Sequence, residues 1–101
     1  MPLFKNVLSA GVTTEISVLT ATTATTLIGM TVANTTAAQI TVDVKLTSGA
    51  TTVFLVKAAV VPVGSSMVPV GGEQKVVLET GDILKVTASG LADVLTSYLE
   101  I

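Results

Sequence analysis

Side chains able to do chemistry are few in this sequence. It has no histidine, cysteine or tryptophan, and all five basic residues are lysines. A serine or threonine nucleophile needs a base to take its proton, and the usual one, histidine, is missing. The lysine alternative asks for Ser-x-x-Lys on a helix, and no serine stands three residues before a lysine. Gly64-Ser65-Ser66 lacks the following glycine that a nucleophile elbow requires and is a plain turn. No catalytic residue is assigned.

Seven carboxylates could in principle supply an acid and base pair. They stand singly at Glu15, Asp43, Glu73, Glu79, Asp82, Asp93 and Glu100, alternating with lysines or sitting in turns, where their expected role is solvation. Glu79-Thr80-Gly81-Asp82 has its acid on the wrong side for an aspartic-protease loop and has no second such loop to pair with. A metal site is not expected: zinc would want histidine or cysteine, and calcium several oxygens within one short loop. Gly71-Gly72-Glu73-Gln74-Lys75 lacks phosphate-loop spacing, so no cofactor is expected. With no arginine, three aromatics and net charge −2, specific nucleic-acid binding is not expected either. Sugar binding normally uses aromatic platforms, for which Phe4, Phe54 and Tyr98 are the only material.

The elements that would carry these residues are strands. Threonine and valine, both β-branched, dominate the composition and suit a pleated, half-buried surface. From Gln39 to Thr47, Ile40, Val42, Val44 and Leu46 fall on one face and Thr41, Asp43 and Lys45 on the other. Thr26 to Asn34 sets Ile28, Met30 and Val32 together, and the connection 34–38 is short enough to predict antiparallel pairing of these two segments. Thr51 to Val61 carries Phe54, Val56, Ala58 and Val60 on one face. Val53 and Leu55 beside Lys57 make the other face apolar too, the mark of a covered strand. After the turn 62–66, Met67 to Val70 reads as an edge piece because Pro69 cannot donate to a ladder.

Segments 75–79 and 83–87 flank Thr80-Gly81-Asp82 and predict a hairpin. The last segment, Ala92 to Ile101, alternates Leu95, Leu99 and Ile101 against Thr96, Tyr98 and Glu100. At the front, Val12 to Thr20 reads as a strand, and Leu3 to Leu8 as an arm or short strand ahead of Ser9-Ala10-Gly11. The threonine-rich run 20–26 is expected to be a strand end or loop. Seven to nine strands at intervals of about eight to twelve residues indicate an all-β fold, a single antiparallel β-sandwich of Ig-like or jelly-roll topology. One domain spanning 1–101 is expected, with a possible N-terminal arm at 1–10, and surface scaling gives it roughly 5,300 Å² of exposed area.

Half the residues are hydrophobic, only 12% are charged, and mean hydropathy is +0.81. A soluble domain ordinarily has about twice that charge. The charge-free stretch 16–42 could span a bilayer by length, but a third of it is threonine, so no membrane segment is expected, and no signal peptide is apparent. Part of the apolar excess is threonine standing in for charge. The rest is surface that other chains are expected to cover.

The strings Phe54-Leu55-Val56-Lys57, Val61-Pro62-Val63-Gly64-Ser65-Ser66, Gly71-Gly72-Glu73-Gln74-Lys75-Val76-Val77-Leu78-Glu79-Thr80-Gly81-Asp82 and Leu95-Thr96-Ser97-Tyr98-Leu99-Glu100-Ile101 add an identity. They resemble small virion structural proteins of tailed bacteriophages, particularly those of cyanobacterial and marine hosts. The resemblance extends more weakly to Met30–Asn34 and Gln39–Val44. It implies a non-enzymatic role in the virion, assembled in the host cytoplasm, as a capsid decoration or cement protein or as a neck, tail, baseplate or fibre part. It offers no functional residues to carry over. A compact chain without a trimerising shaft suits decoration, docked on the major capsid protein as a homo-oligomer, a trimer fitting local threefold positions. Leu3, Phe4 and Val7, with Val53 and Leu55, are the expected partner contacts. A host-surface carbohydrate-binding module is the alternative of another class.

Overall fold

All but two pairs of sequence-neighbouring strands are separated by a crossing between two sheets. The computed structural model describes residues 3–70 and 75–100. Its strands are β1 (Leu3–Val12), β2 (Ile16–Thr20), β3 (Thr25–Asn34), β4 (Ile40–Ser48), β5 (Thr51–Val61), β6 (Ser66–Val70), β7 (Val76–Leu78), β8 (Ile83–Ala88) and β9 (Ala92–Glu100). Sheet A runs β1-β9-β3-β6, with β7 also on β3, and sheet B runs β2-β8-β4-β5. All pairings are antiparallel. Val70 pairs with Met30 and Val76 with Leu27, so β6 and β7 lie end to end along one edge of β3. Counting them as one interrupted strand, two four-stranded sheets in this order make a jelly roll, which decides between the two expected topologies.

Several expectations are corrected by this order. β3 and β4 do not pair: β3 is flanked by β9 on one side and β6 and β7 on the other, so the chain after Asn34 must cross to sheet B. The turn at 80–82 exists, with the Asp82 amide donating to the Glu79 carbonyl at 2.9 Å, but it is an arch and not a hairpin. β7 joins sheet A, while β8 inserts between β2 and β4. The segment read as one strand from Val12 divides, because Val12 ends β1 and β2 begins at Ile16. Ser9-Ala10-Gly11 is no break but a bulge within β1, where Gly11 takes φ +66°, a conformation open to glycine without cost. Only β4 and β5 form a hairpin of sequence neighbours.

Bulges also move side chains between faces. One at Ile28 shifts the phase of β3, so Thr25 and Leu27 point inward ahead of it and Met30, Val32 and Asn34 after it, leaving Ile28 outside that set. In β5 two irregularities opposite Asp43 and Val44 break the expected alternation, and Ala58 sits at φ 53° with its amide donating to Asp43 Oδ1 at 2.6 Å. In β9 the buried set is Ala92, Val94, Thr96 and Tyr98, the reverse of the face expected from the leucines. β4 is as expected, with Ile40, Val42 and Val44 buried. These meet Leu84 and Val86 of β8 within sheet B, and Leu27, Met30 and Val32 of β3 in one core. The exposed area is 5349 Å², close to the scaling value for a chain of this mass.

Asn34 fastens one end of the sandwich. Its buried amide nitrogen donates to the carbonyls of Ala38 at 2.7 Å and Val61 at 3.0 Å, and Oδ1 accepts from the Thr36 amide and hydroxyl, both at 2.8 Å. The Asn34 amide donates to Ser65 at 3.0 Å, and Thr35 donates to Leu91. Three crossings, 34–39, 62–65 and 89–91, are thereby tied together. Gly90 closes the same end: a Cβ there would stand 2.8 Å from Ile40 Cγ2. At the other end, the buried Asp82 accepts from the Glu79 amide at 3.0 Å, while Gly81 and Asp82 exchange hydrogen bonds with Ala21. Asn34→Ala strands the buried Val61 carbonyl and removes the acceptor of the Thr36 amide and hydroxyl, and is expected to cost on the order of 3 kcal/mol, lowering Tm by roughly 10–20 °C. Thermal and urea unfolding of the variant measures this, and a loss below about 1 kcal/mol contradicts the role given to the side chain.

Candidate functional site

The two outward faces of the sandwich differ in chemistry. On sheet B the outward positions include Asp43 and Lys45 of β4, Lys85 of β8 and Lys57 of β5, with Glu15 just before β2. Lys45 and Lys85 stand directly opposite each other, an arrangement that is unfavourable alone. Glu15 resolves it: one carboxylate oxygen pairs with Lys45 and the other lies 4.0 Å from Lys85. The hydrogen bond to Lys45 holds the Glu15 carboxyl below its ordinary range. Phe54 lies under two lysines, with Lys57 Nζ 4.6 Å and Lys45 Nζ 5.7 Å from the ring centroid. The charges lie toward β2, β8 and β4, while the β5 edge also exposes Phe54 and Val60.

Sheet A presents the opposite. Its outward positions run Phe4, Asn6, Leu8 and Ala10 on β1; Asp93, Leu95, Ser97 and Leu99 on β9; and Thr26, Thr31 and Ala33 on β3, with Val77 on β7. Register sets them in two rows. Phe4 faces Leu99, which faces Thr26, which faces Val77; nearer the Asn34 end, Leu8 faces Leu95, which faces Thr31. Phe4 is 78% exposed, Leu8 75%, Val77 64% and Leu95 42%. Among the strand positions of this face Asp93 is the one charged side chain, and its Oδ1 accepts from the Gly11 amide at 3.0 Å, bracing the β1 bulge. The small residues Ala10 and Ala33 leave an open groove of about 410 Å³ bounded by Leu8, Thr31, Asp93 and Leu95. Asn6 and Ser97, which face each other, separate the two apolar rows.

The expected contact residues fall in two places. Leu3, Phe4 and Val7 lie on β1, which is the edge strand of sheet A, paired with β9. Leu3 and Phe4 are exposed, while Val7 is half-buried against the core. Lys5 beside them pairs with Glu100 at 2.6 Å, and that hydrogen bond raises the lysine pKa. Val53 and Leu55 lie on β5, the edge strand of sheet B, with Val53 exposed and Leu55 half-buried against the core. β1 packs across to β2 and β8, and β5 to β6, so the two groups occupy opposite sides of the sandwich. Sequence reasoning missed Leu8, Leu95 and Val77. The signal for Leu95 was Asp93, which shares its face and marks it as outward.

The groove holds a single carboxylate, and among the described residues no three acidic, histidine or cysteine side chains cluster to hold a metal. Tyr98 is buried in the core, and Phe4 and Phe54 lie on different sheets, so the three aromatics form no common platform. No described helix is long and apolar enough to cross a membrane. Glu15 generates a pH prediction. Its folded-state pKa is lowered, so its stabilising effect is present above the ordinary glutamate range and is lost as pH falls through the lowered value. Glu15→Gln is expected to flatten the acid limb of a stability-against-pH curve below about pH 4.5. An unchanged acid limb in the variant contradicts this.

Comparison with protein-family models and with curated proteins finds no match. Among solved structures, two crystal structures of a pentameric capsid protein isolated from metagenomic phage sequences are similar, one of them solved by iodide SAD phasing. Each gives a TM-score of 0.55 and 20% identity over 95% of this chain, which covers 60% and 62% of the respective structure. The chain thus spans about three fifths of their length. At that identity what they share with this protein is the fold.

Proposed function

We propose that this chain is a non-enzymatic structural protein of a phage virion, a decoration or cement protein that docks as a homo-oligomer on the assembled head and stabilises it against internal DNA pressure. The observation that carries this reading is the outward face of sheet A, apolar in two rows and carrying one charge among its strand positions. A monomer alone in water has no use for such a face, whereas a protein present in many copies on a shell buries it. The likeness of the fold to a pentameric phage capsid protein supports a place in the particle. The row at the Phe4 end, with Leu3 and Val77, is the part assigned to the major capsid protein. The stabilisation follows mass action, since a ligand that binds only the assembled shell shifts its stability by RT ln(1 + [L]/Kd).

Particles lacking the protein are expected to assemble but to release DNA at lower temperature or lower salt. Unchanged thermal release overturns the cement role. Copy number separates the positions in the particle, hundreds per virion meaning the head and tens or fewer the neck, tail, baseplate or fibres. Native mass separates a trimer, suited to local threefold positions, from a pentamer. Phe4→Ser, at an exposed position, is expected to leave thermal unfolding unchanged and to weaken rebinding to stripped heads by about tenfold or more. Equal binding by the variant removes Phe4 from the contact.

A further inference from the structure

The outward face of sheet A and the β5 edge of sheet B carry complementary features at the same end of the sandwich. The groove of Leu8, Ala10, Ala33 and Leu95 lies one to three residues from the Asn34 end, and its rim carries the exposed carboxylate of Asp93. On the opposite side of the molecule, β5 brings exposed Lys57 and Val60 to a similar distance from that end, where Ile40 pairs with Val61. Val63, in the turn that follows, is also exposed. One surface is an apolar hollow with a single negative charge. The other is an apolar ridge with a positive charge beside it.

We infer that the occupant of the groove is a second copy of this chain, which presents its β5 edge, with Val60 in the groove and Lys57 against Asp93. This deepens the homo-oligomer proposed above and rests on it. Because the two surfaces are different patches, the contact is head-to-tail, and such a contact closes a ring only where each copy is rotated relative to the last; a face-to-face dimer would leave the β5 edge uncovered. In a ring whose axis runs along the strands, the two patches meet at one level, and an edge set against a face turns each copy relative to the last. A standard contact takes about 800 Å² per partner, so the two contacts of each copy cover roughly 30% of its 5349 Å² surface. The Phe4 row at the other end stays free for the shell.

The absence of cysteine from the chain makes the test clean. Leu95→Cys and Val60→Cys are introduced separately and together at exposed positions, and the oxidised proteins are sized under denaturing conditions. The double variant is expected to form a ladder ending at the ring number, while neither single variant crosslinks. Lys57→Glu is expected to weaken association by about tenfold or more. Disulfide dimers from Leu95→Cys alone mean face-to-face packing and overturn the inference. An oligomer of unchanged mass with no ladder, or one indifferent to Lys57→Glu, overturns this interface and leaves the homo-oligomer standing. A wild-type protein that is monomeric at all concentrations overturns the homo-oligomer itself.

Discussion

The carboxamide of Asn34 is the interaction on which the rest of the molecule depends. A jelly roll crosses between its sheets at nearly every connection, and each crossing exposes backbone groups that no ladder satisfies. Asn34 supplies both a donor and an acceptor at one buried point, and through it the crossings 34–39 and 62–65 share one set of hydrogen bonds. No other side chain of that size offers both in this geometry: aspartate would only accept, and leucine would do neither. With that end fastened, the two sheets face each other in one register, and Val32, Val42 and Val86 close on a dry core. Asp82 does the same at the far end with fewer partners.

That core leaves the molecule two-faced. Sheet B spends its charges outward, with Glu15 settling the repulsion between Lys45 and Lys85, and lysines covering the one aromatic ring there. Sheet A keeps Lys5 and Glu100 paired at its Phe4 end and carries one outward carboxylate, Asp93. A low charge content would be hard to tolerate if it were spread evenly, but here one face takes most of the solvation and the other is left apolar.

Much of the fold was legible in the sequence because strand content, turn positions and the alternation in β4 are local properties. The edge position of β6 followed from Pro69, and the turn at Gly81 from its residue types. Strand pairing was not legible, since a turn such as 80–82 looks alike whether its arms stay in one sheet or part. The phases of β3 and β5 were hidden by bulges, which shift every later side chain by one position without a residue type that demands it; Ala58 in a left-handed conformation has no sequence mark. In β9 the size of the leucines misled, because Tyr98 and the small Ala92 and Val94 fill the core while Leu95 looks out. The contact face was half legible for the same reason: Phe4 was found from its position in an apolar segment, and Leu95 was lost with the phase of its strand.

The place of β9 in sheet A has a consequence for synthesis. It lies between β1 and β3, so the earliest strand of the chain has no neighbour in its own sheet until the latest one arrives. A chain still leaving the ribosome can form the β4-β5 hairpin but not the apolar face, whose two rows are completed by Leu95 and Leu99. Long-range pairing of this kind is slow, and partly made apolar sheets are prone to aggregate. Here the apolar face comes into being only when β9 takes its place between β1 and β3.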